Sequence, residues 1–181
     1  ERFFEQAYQE RFTVSSIMVA LGEAADGTDR NATRLTTDHL EALAYPTDRT
    51  VAPGNRFSLV VDVTPKEGMH VYAPGGHTYQ VISLRLNTPD FIRAHDVTYP
   101  ASEIYHYEPL DERVEVFEQP FQLVQEVTIQ MTREIAGLAA EPDATLTVEG
   151  VLTYQACDDA ICYTPVELPV KWPLDWRPLV R

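Results

Sequence analysis

From about residue 36 onward, apolar residues recur at every second position, and this period limits the fold more than any other feature. Phe57, Leu59, Val61 and Val63 alternate with Ser58, Val60 and Asp62. That is the pattern of a strand with one clearly apolar face. Met69–Tyr72 is a second extended run, and Ile82, Leu84 and Leu86 alternate with Ser83 and Arg85. Phe91–Tyr99, Val114–Phe117, Phe121–Ile129, Thr145–Tyr154 and a last run from Tyr163 to about Lys171 continue the series. Turn residues such as Pro65–Gly68 and Thr88–Asp90 separate them. Most of the 13 prolines fall between runs, as expected of residues that cannot donate to a ladder.

Roughly seven to nine short strands at this spacing predict an all-β immunoglobulin-like sandwich. No helix of core length follows residue 36, which disfavours alternating strands and helices. Residues 1–22 differ. Phe3, Phe4, Ala7, Tyr8, Phe12, Ile17 and Leu21 approximate a helical stripe that Gly22 can end. Residues 23–35 are polar and read as a linker, which leaves 36–175 as the sandwich domain. Residues 100–113 lack a clean period and read as a loop rich in aromatics and acids. It either covers a sheet edge or caps a reactive site.

The net charge of −14 repels phosphate backbones and argues against nucleic-acid binding. No apolar run approaches the roughly 18 residues that cross a bilayer, so direct membrane insertion is not expected. The chain starts at Glu1 rather than Met, and reads as a mature product or a piece of something longer.

There are only two cysteines, Cys157 and Cys162. A strand running into Cys157 and another opening at Cys162 place them across the mouth of a hairpin, with Asp158–Ile161 between. A disulfide closing so short a loop stabilises by less than the roughly 3 kcal/mol of a fifteen-residue loop. A bond near a turn opens and closes easily, which suits redox exchange. Two other readings stay open: a passive disulfide, and two buried thiols. The C-x4-C spacing is not that of a thioredoxin helix, so no helix N-terminus lowers a thiol pKa. Asp158 and Asp159 disfavour a thiolate nearby. A reluctant nucleophile of this kind needs a protein partner to bring the reactive thiolate. His39, His70, His77, His95 and His106 show no ligand spacing with the pair, so neither a metal nor another cofactor is expected.

The stretch Gly150–Pro165, GVLTYQACDDAICYTP, resembles the N-terminal periplasmic domain of the thiol:disulfide interchange protein DsbD. Lys66–Pro74 is similar to that family's turn and aromatic strand, and Ser102–Tyr105 to its cap region. The resemblance covers about residues 36–172. It implies an immunoglobulin-like periplasmic domain whose dithiol takes electrons from a membrane-embedded partner and hands them to thioredoxin-fold oxidoreductases. By position, Cys162 would form the mixed disulfide and Cys157 would resolve it. Tyr72 and Tyr163 would line the site, and Ile104 and Tyr105 would belong to the cap. Glu103, Asp158 and Asp159 are candidate proton-handling acids, each also readable as a solvated turn acid. Residues 1–22 resemble the C-terminal helix of redoxin domains. The competing function is a non-catalytic immunoglobulin-like binding module with a structural disulfide. A hydrolase is disfavoured, because no nucleophile elbow is present.

Overall fold

The computed structural model describes residues 31–108, 111–138 and 145–177. The helical stripe expected over residues 1–22 lies outside them. The strands are β1 (Thr33–Thr36), β2 (Leu40–Pro46), β3 (Thr50–Val51), β4 (Arg56–Pro65), β5 (His70–Tyr72), β6 (Ser83–Asn87) and β7 (Ile92–Thr98). They continue with β8 (Glu103–Tyr107), β9 (Glu112–Phe117), β10 (Phe121–Ile129), β11 (Thr145–Tyr154), β12 (Ala156–Cys157) and β13 (Val166–Trp176). One short helix, α1 (Arg133–Leu138), joins β10 toward β11.

Two sheets form the sandwich, in the orders β1-β2-β4-β10-β7 and β3-β13-β11-β6. Their inner faces follow from the period of two. In β4 the alternating Phe57, Leu59, Val61 and Val63 are buried, and Val60 on the other phase is buried as well. Leu123 and Val127 of β10 and Leu152, Trp172 and Leu174 of the second sheet complete the same core. Trp172 is wholly buried, and its indole N–H donates to the Val60 carbonyl at 3.2 Å. That bond satisfies the polar tip of a ring whose area otherwise serves packing. The fold is therefore the expected all-β, immunoglobulin-like sandwich.

Three local expectations are corrected. The 23–35 linker reading fails at its end, because Thr33–Thr36 pairs antiparallel with β2. Its Thr33 hydroxyl also donates to the Lys171 carbonyl, so the segment is anchored to both sheets. Second, proline does not merely punctuate: β13 contains Pro169 and Pro173 and still pairs with β11 along its length. The Pro173 carbonyl accepts from the Asn31 amide, so this phase of β13 faces away from β11, and no ladder donor is missing there. Third, residues 100–113 are not one loop. Most of them belong to the β8–β9 hairpin, with Tyr105 opposite Val114 and Tyr107 opposite Glu112. Large side chains stand on both of its faces, so no apolar alternation betrays the strand.

This hairpin belongs to a third sheet, ordered β12-β5-β9-β8, at one end of the sandwich. A satellite core of Tyr72, Val114, Val116 and Cys157 holds it together, with Tyr79 and Tyr105 packed on it.

Candidate functional site

The long β11–β13 hairpin leaves the sandwich near its tip. Its ladder runs in regular register up to Tyr154 opposite Val166. Beyond that point Ala156 and Cys157 also pair with Val71 and His70 of β5, while the Ala156 carbonyl still accepts the Tyr163 N–H at 2.9 Å. Gln155 sits at the transfer point, and its amide donates to the Tyr163 carbonyl at 3.0 Å. The cysteines face each other as expected, in an antiparallel bridge with Cα atoms 4.0 Å apart, and they are disulfide-bonded.

The intervening turn is built by Asp158. One of its carboxylate oxygens accepts the backbone N–H groups of Ala160 and Ile161, at 2.7 and 2.8 Å. The other accepts the Tyr163 hydroxyl at 2.8 Å. Those bonds, led by Ile161 and Ala160, hold the Asp158 carboxyl below its ordinary pKa. Its charge is therefore committed to the turn more than to the sulfurs.

The two sulfurs stand in unlike surroundings. Cys157 is 1% exposed, whereas Cys162 is exposed at the surface. The Tyr72 hydroxyl reaches both, 3.2 Å from Cys162 Sγ and 3.3 Å from Cys157 Sγ. Disulfide sulfurs carry no proton, so the phenol is the donor. Desolvation first, then the neighbouring Tyr79, Glu112 and Tyr105, push the Tyr72 pKa up to about 12. Tyr72 thus keeps its proton across the neutral range.

Further aromatics surround this donor. Tyr79 stacks on Tyr72 with centroids 4.4 Å apart and rings within 5° of parallel, and its hydroxyl donates to Glu112 at 2.7 Å. His70 lies 4.4 Å from the Tyr105 ring, and the Tyr105 hydroxyl donates to Asp159 at 3.1 Å. Burial lowers the His70 pKa, against the pull of Asp159 and Asp158. Tyr72, Tyr79, His70, Tyr105 and Glu112 line a cleft of about 180 Å³ that opens on the disulfide, with Asp158 also on its wall and Asp159 just outside it.

The structure thus gathers Cys157, Cys162, Tyr72, Tyr105, Asp158 and Asp159 at one place. Tyr163 contributes from behind, with its ring 4.4 Å from His39 and its hydroxyl on Asp158, rather than lining the cleft. Ile104 does not join: alternation along β8 turns it to the other face, where it is 60% exposed. Glu103 is also apart, exposed at the start of β8 beside Pro100 and Phe117. Tyr79 and Glu112 were not among the sequence candidates, His70 was weighed only as a metal ligand, and Tyr107 was read only as one aromatic of the 100–113 segment; all four line the cleft. His70 was within reach, since it stands two positions before Tyr72 and so shares its strand face. Tyr79 and Glu112 carry no local signal. No group of three or more metal-ligating side chains forms among the described residues.

An exposed sulfur bonded to a buried one, under a permanent hydroxyl donor and at the end of an immunoglobulin-like sandwich, defines a thiol–disulfide exchange module. Residues 41–171 match the family described as thiol:disulfide interchange protein DsbD, N-terminal. The chain belongs to that family. Among solved structures it is similar to the Neisseria meningitidis DsbD n-terminal domain in the reduced form. There the identity is 16% and the TM-score 0.45, over 73% of this chain and 86% of that one. It is also similar to the N-terminal periplasmic domain of ScsB from Proteus mirabilis, with 13% identity and a TM-score of 0.49. That match covers 78% of this chain but only 49% of the other, so the chain spans about half of that relative. No curated protein matches it significantly.

Proposed function

We propose that this chain is an extracytoplasmic, periplasmic oxidoreductase of the protein-disulfide reductase type, which relays electrons between partner proteins through Cys157 and Cys162. The partners are thioredoxin-fold or membrane-embedded thiol–disulfide oxidoreductases. Family membership and a short-loop disulfide support the compartment.

The observation that carries this reading is the asymmetry of the pair. A partner thiolate attacks the exposed Cys162 Sγ. A new sulfur–sulfur bond forms, the Cys162–Cys157 bond breaks, and Cys157 leaves as a thiolate. The Tyr72 hydroxyl already lies within reach of that leaving sulfur and stabilises its charge. The partner's second thiolate then attacks its own sulfur in the mixed disulfide and releases Cys162. Two electrons have moved, the partner dithiol has become a disulfide, and solvent supplies the protons that Cys157 and Cys162 take up. The reverse sequence passes the electrons to an oxidised acceptor.

The test is the reduction potential of the pair, measured by equilibration with glutathione or dithiothreitol and thiol trapping. Exchange proteins fall at roughly −120 to −270 mV. A value below about −300 mV is typical of structural bonds and would leave a disulfide-stapled binding domain.

A further inference from the structure

The cleft beside Cys162 offers acceptors and aromatic faces to whatever enters it. Tyr79 and Tyr105 both donate their hydroxyl protons to carboxylates, Glu112 and Asp159. What they turn to the cleft is oxygen lone pairs and rings enriched by that donation. Tyr107, opposite Glu112 in the hairpin ladder, adds a further ring. Of the two carboxylates that line the cleft, Asp158 is occupied by its turn, while among the described residues Glu112 has no ion-pair partner and accepts only the Tyr79 hydroxyl. The one base of β9, Arg113, alternates to the opposite face, across from His106. His70 is held toward its neutral form by burial. A half-enclosed site walled by Glu112 and Asp158, with several ring faces and no lysine or arginine of its own, attracts a positive group.

We infer that this cleft receives a lysine or arginine side chain that the partner protein carries beside its own redox cysteine. The inference rests on the exchange reading and names the partner's chemistry. A cationic head seated between Tyr107, Tyr105 and Glu112 places the adjacent partner sulfur at the exposed Cys162. Neutralising Glu112 also eases the approach of an attacking thiolate, which its charge otherwise repels.

The experiment uses the full chain in its oxidised form. Three short peptide thiols carry an arginine, a glutamine or a glutamate next to cysteine, and rates of disulfide reduction are compared per thiolate. The arginine peptide is expected to react about tenfold faster than the glutamate peptide, as contacts of this kind are worth on the order of 1 kcal/mol. In Glu112→Gln that ratio falls to about threefold or less, while Glu41→Gln, an equal charge change on an exposed strand position, retains it. Should Glu112→Gln not fold, Tyr107→Leu serves instead; it keeps the charge, removes a ring face and lowers the ratio. A ratio near one in the unmodified chain, or equal falls in Glu112→Gln and Glu41→Gln, overturns the inference and leaves the exchange reading standing. Failure of all three thiols to reduce the disulfide overturns both.

Discussion

The phenol oxygen of Tyr72 lies 3.2 Å from the sulfur of Cys162, across 90 residues of sequence. It lies 3.3 Å from the sulfur of Cys157 as well. One donor therefore serves whichever sulfur becomes anionic. A hydrogen bond to a charged group contributes about 1.5–3 kcal/mol. Tyr72→Phe keeps the ring stacked on Tyr79 and removes only the hydroxyl. Reduction of the disulfide by dithiothreitol at pH 7 should slow by about 10- to 100-fold, with little change in melting temperature. The Cys157 thiol pKa of the reduced chain should rise. An unaltered rate in a folded variant would remove Tyr72 from the chemistry.

The difference in exposure between the cysteines predicts unequal variants. Cys157→Ala leaves an accessible thiol at Cys162, and mixed disulfides with partner proteins should accumulate and be visible on non-reducing gels. Cys162→Ala leaves a thiol that is 1% exposed in the folded chain. It should be modified by iodoacetamide at least tenfold more slowly than the thiol of Cys157→Ala, on the order expected when burial blocks access. Equal labelling rates would contradict the assignment of Cys162 as the attacked sulfur.

His70 couples stability to pH. Burial pulls its folded-state pKa below the ordinary 6.5, although Asp159 and Asp158 pull the other way. The unfolded chain then binds more protons than the native one as pH falls through 6.5 toward the folded pKa. Stability is fully present above that window and is lost on acidification within it. Urea unfolding between pH 7 and pH 5 should show this decline, and His70→Phe, which retains a ring against Tyr105, should flatten it. The same slope in both proteins would place the titrating group elsewhere. Asp158 adds a separate loss in stronger acid. Its folded pKa lies below the ordinary 3.8, so its contribution disappears as pH falls from there through the lowered value.

Gly150 tests the packing of the second sheet. A Cβ at this position would stand 2.9 Å from the Arg85 carbonyl oxygen and 3.2 Å from the Trp172 ring. The first neighbour is backbone and the second is wholly buried, so neither yields easily. Gly150→Ala should lower the free energy of unfolding by about 1–3 kcal/mol, in the usual range for overpacking. Urea midpoints at constant m-value would measure it. No loss would mean that β6 and β11 can separate locally at little cost.

The legibility of the fold varied with the number of apolar faces per strand. Strands with one apolar face, such as β4 and β10, were visible because their alternation reports which side meets the core. Strand β8 was not, because Tyr105 and Ile104 are comparably large and lie on opposite faces. The transfer of Ala156 and Cys157 from the sandwich to the third sheet was equally hidden. Their run of apolar residues suits either partner, and only the placement of β5 decides between them.

Local sequence was enough for the sandwich class and for setting Cys157 across a hairpin from Cys162, since period and spacing act over short stretches of chain, whereas the place of Tyr72 near them was implied by the family resemblance. Tertiary structure alone decided which sulfur is exposed. It also brought Tyr79 onto Tyr72 and Glu112 onto Tyr79, and it sent Ile104 to solvent while Tyr105 reached Asp159. The physical reason is range: burial and hydrogen bonding at this cleft join segments 33 to 90 residues apart, and nothing in the local sequence records such distances.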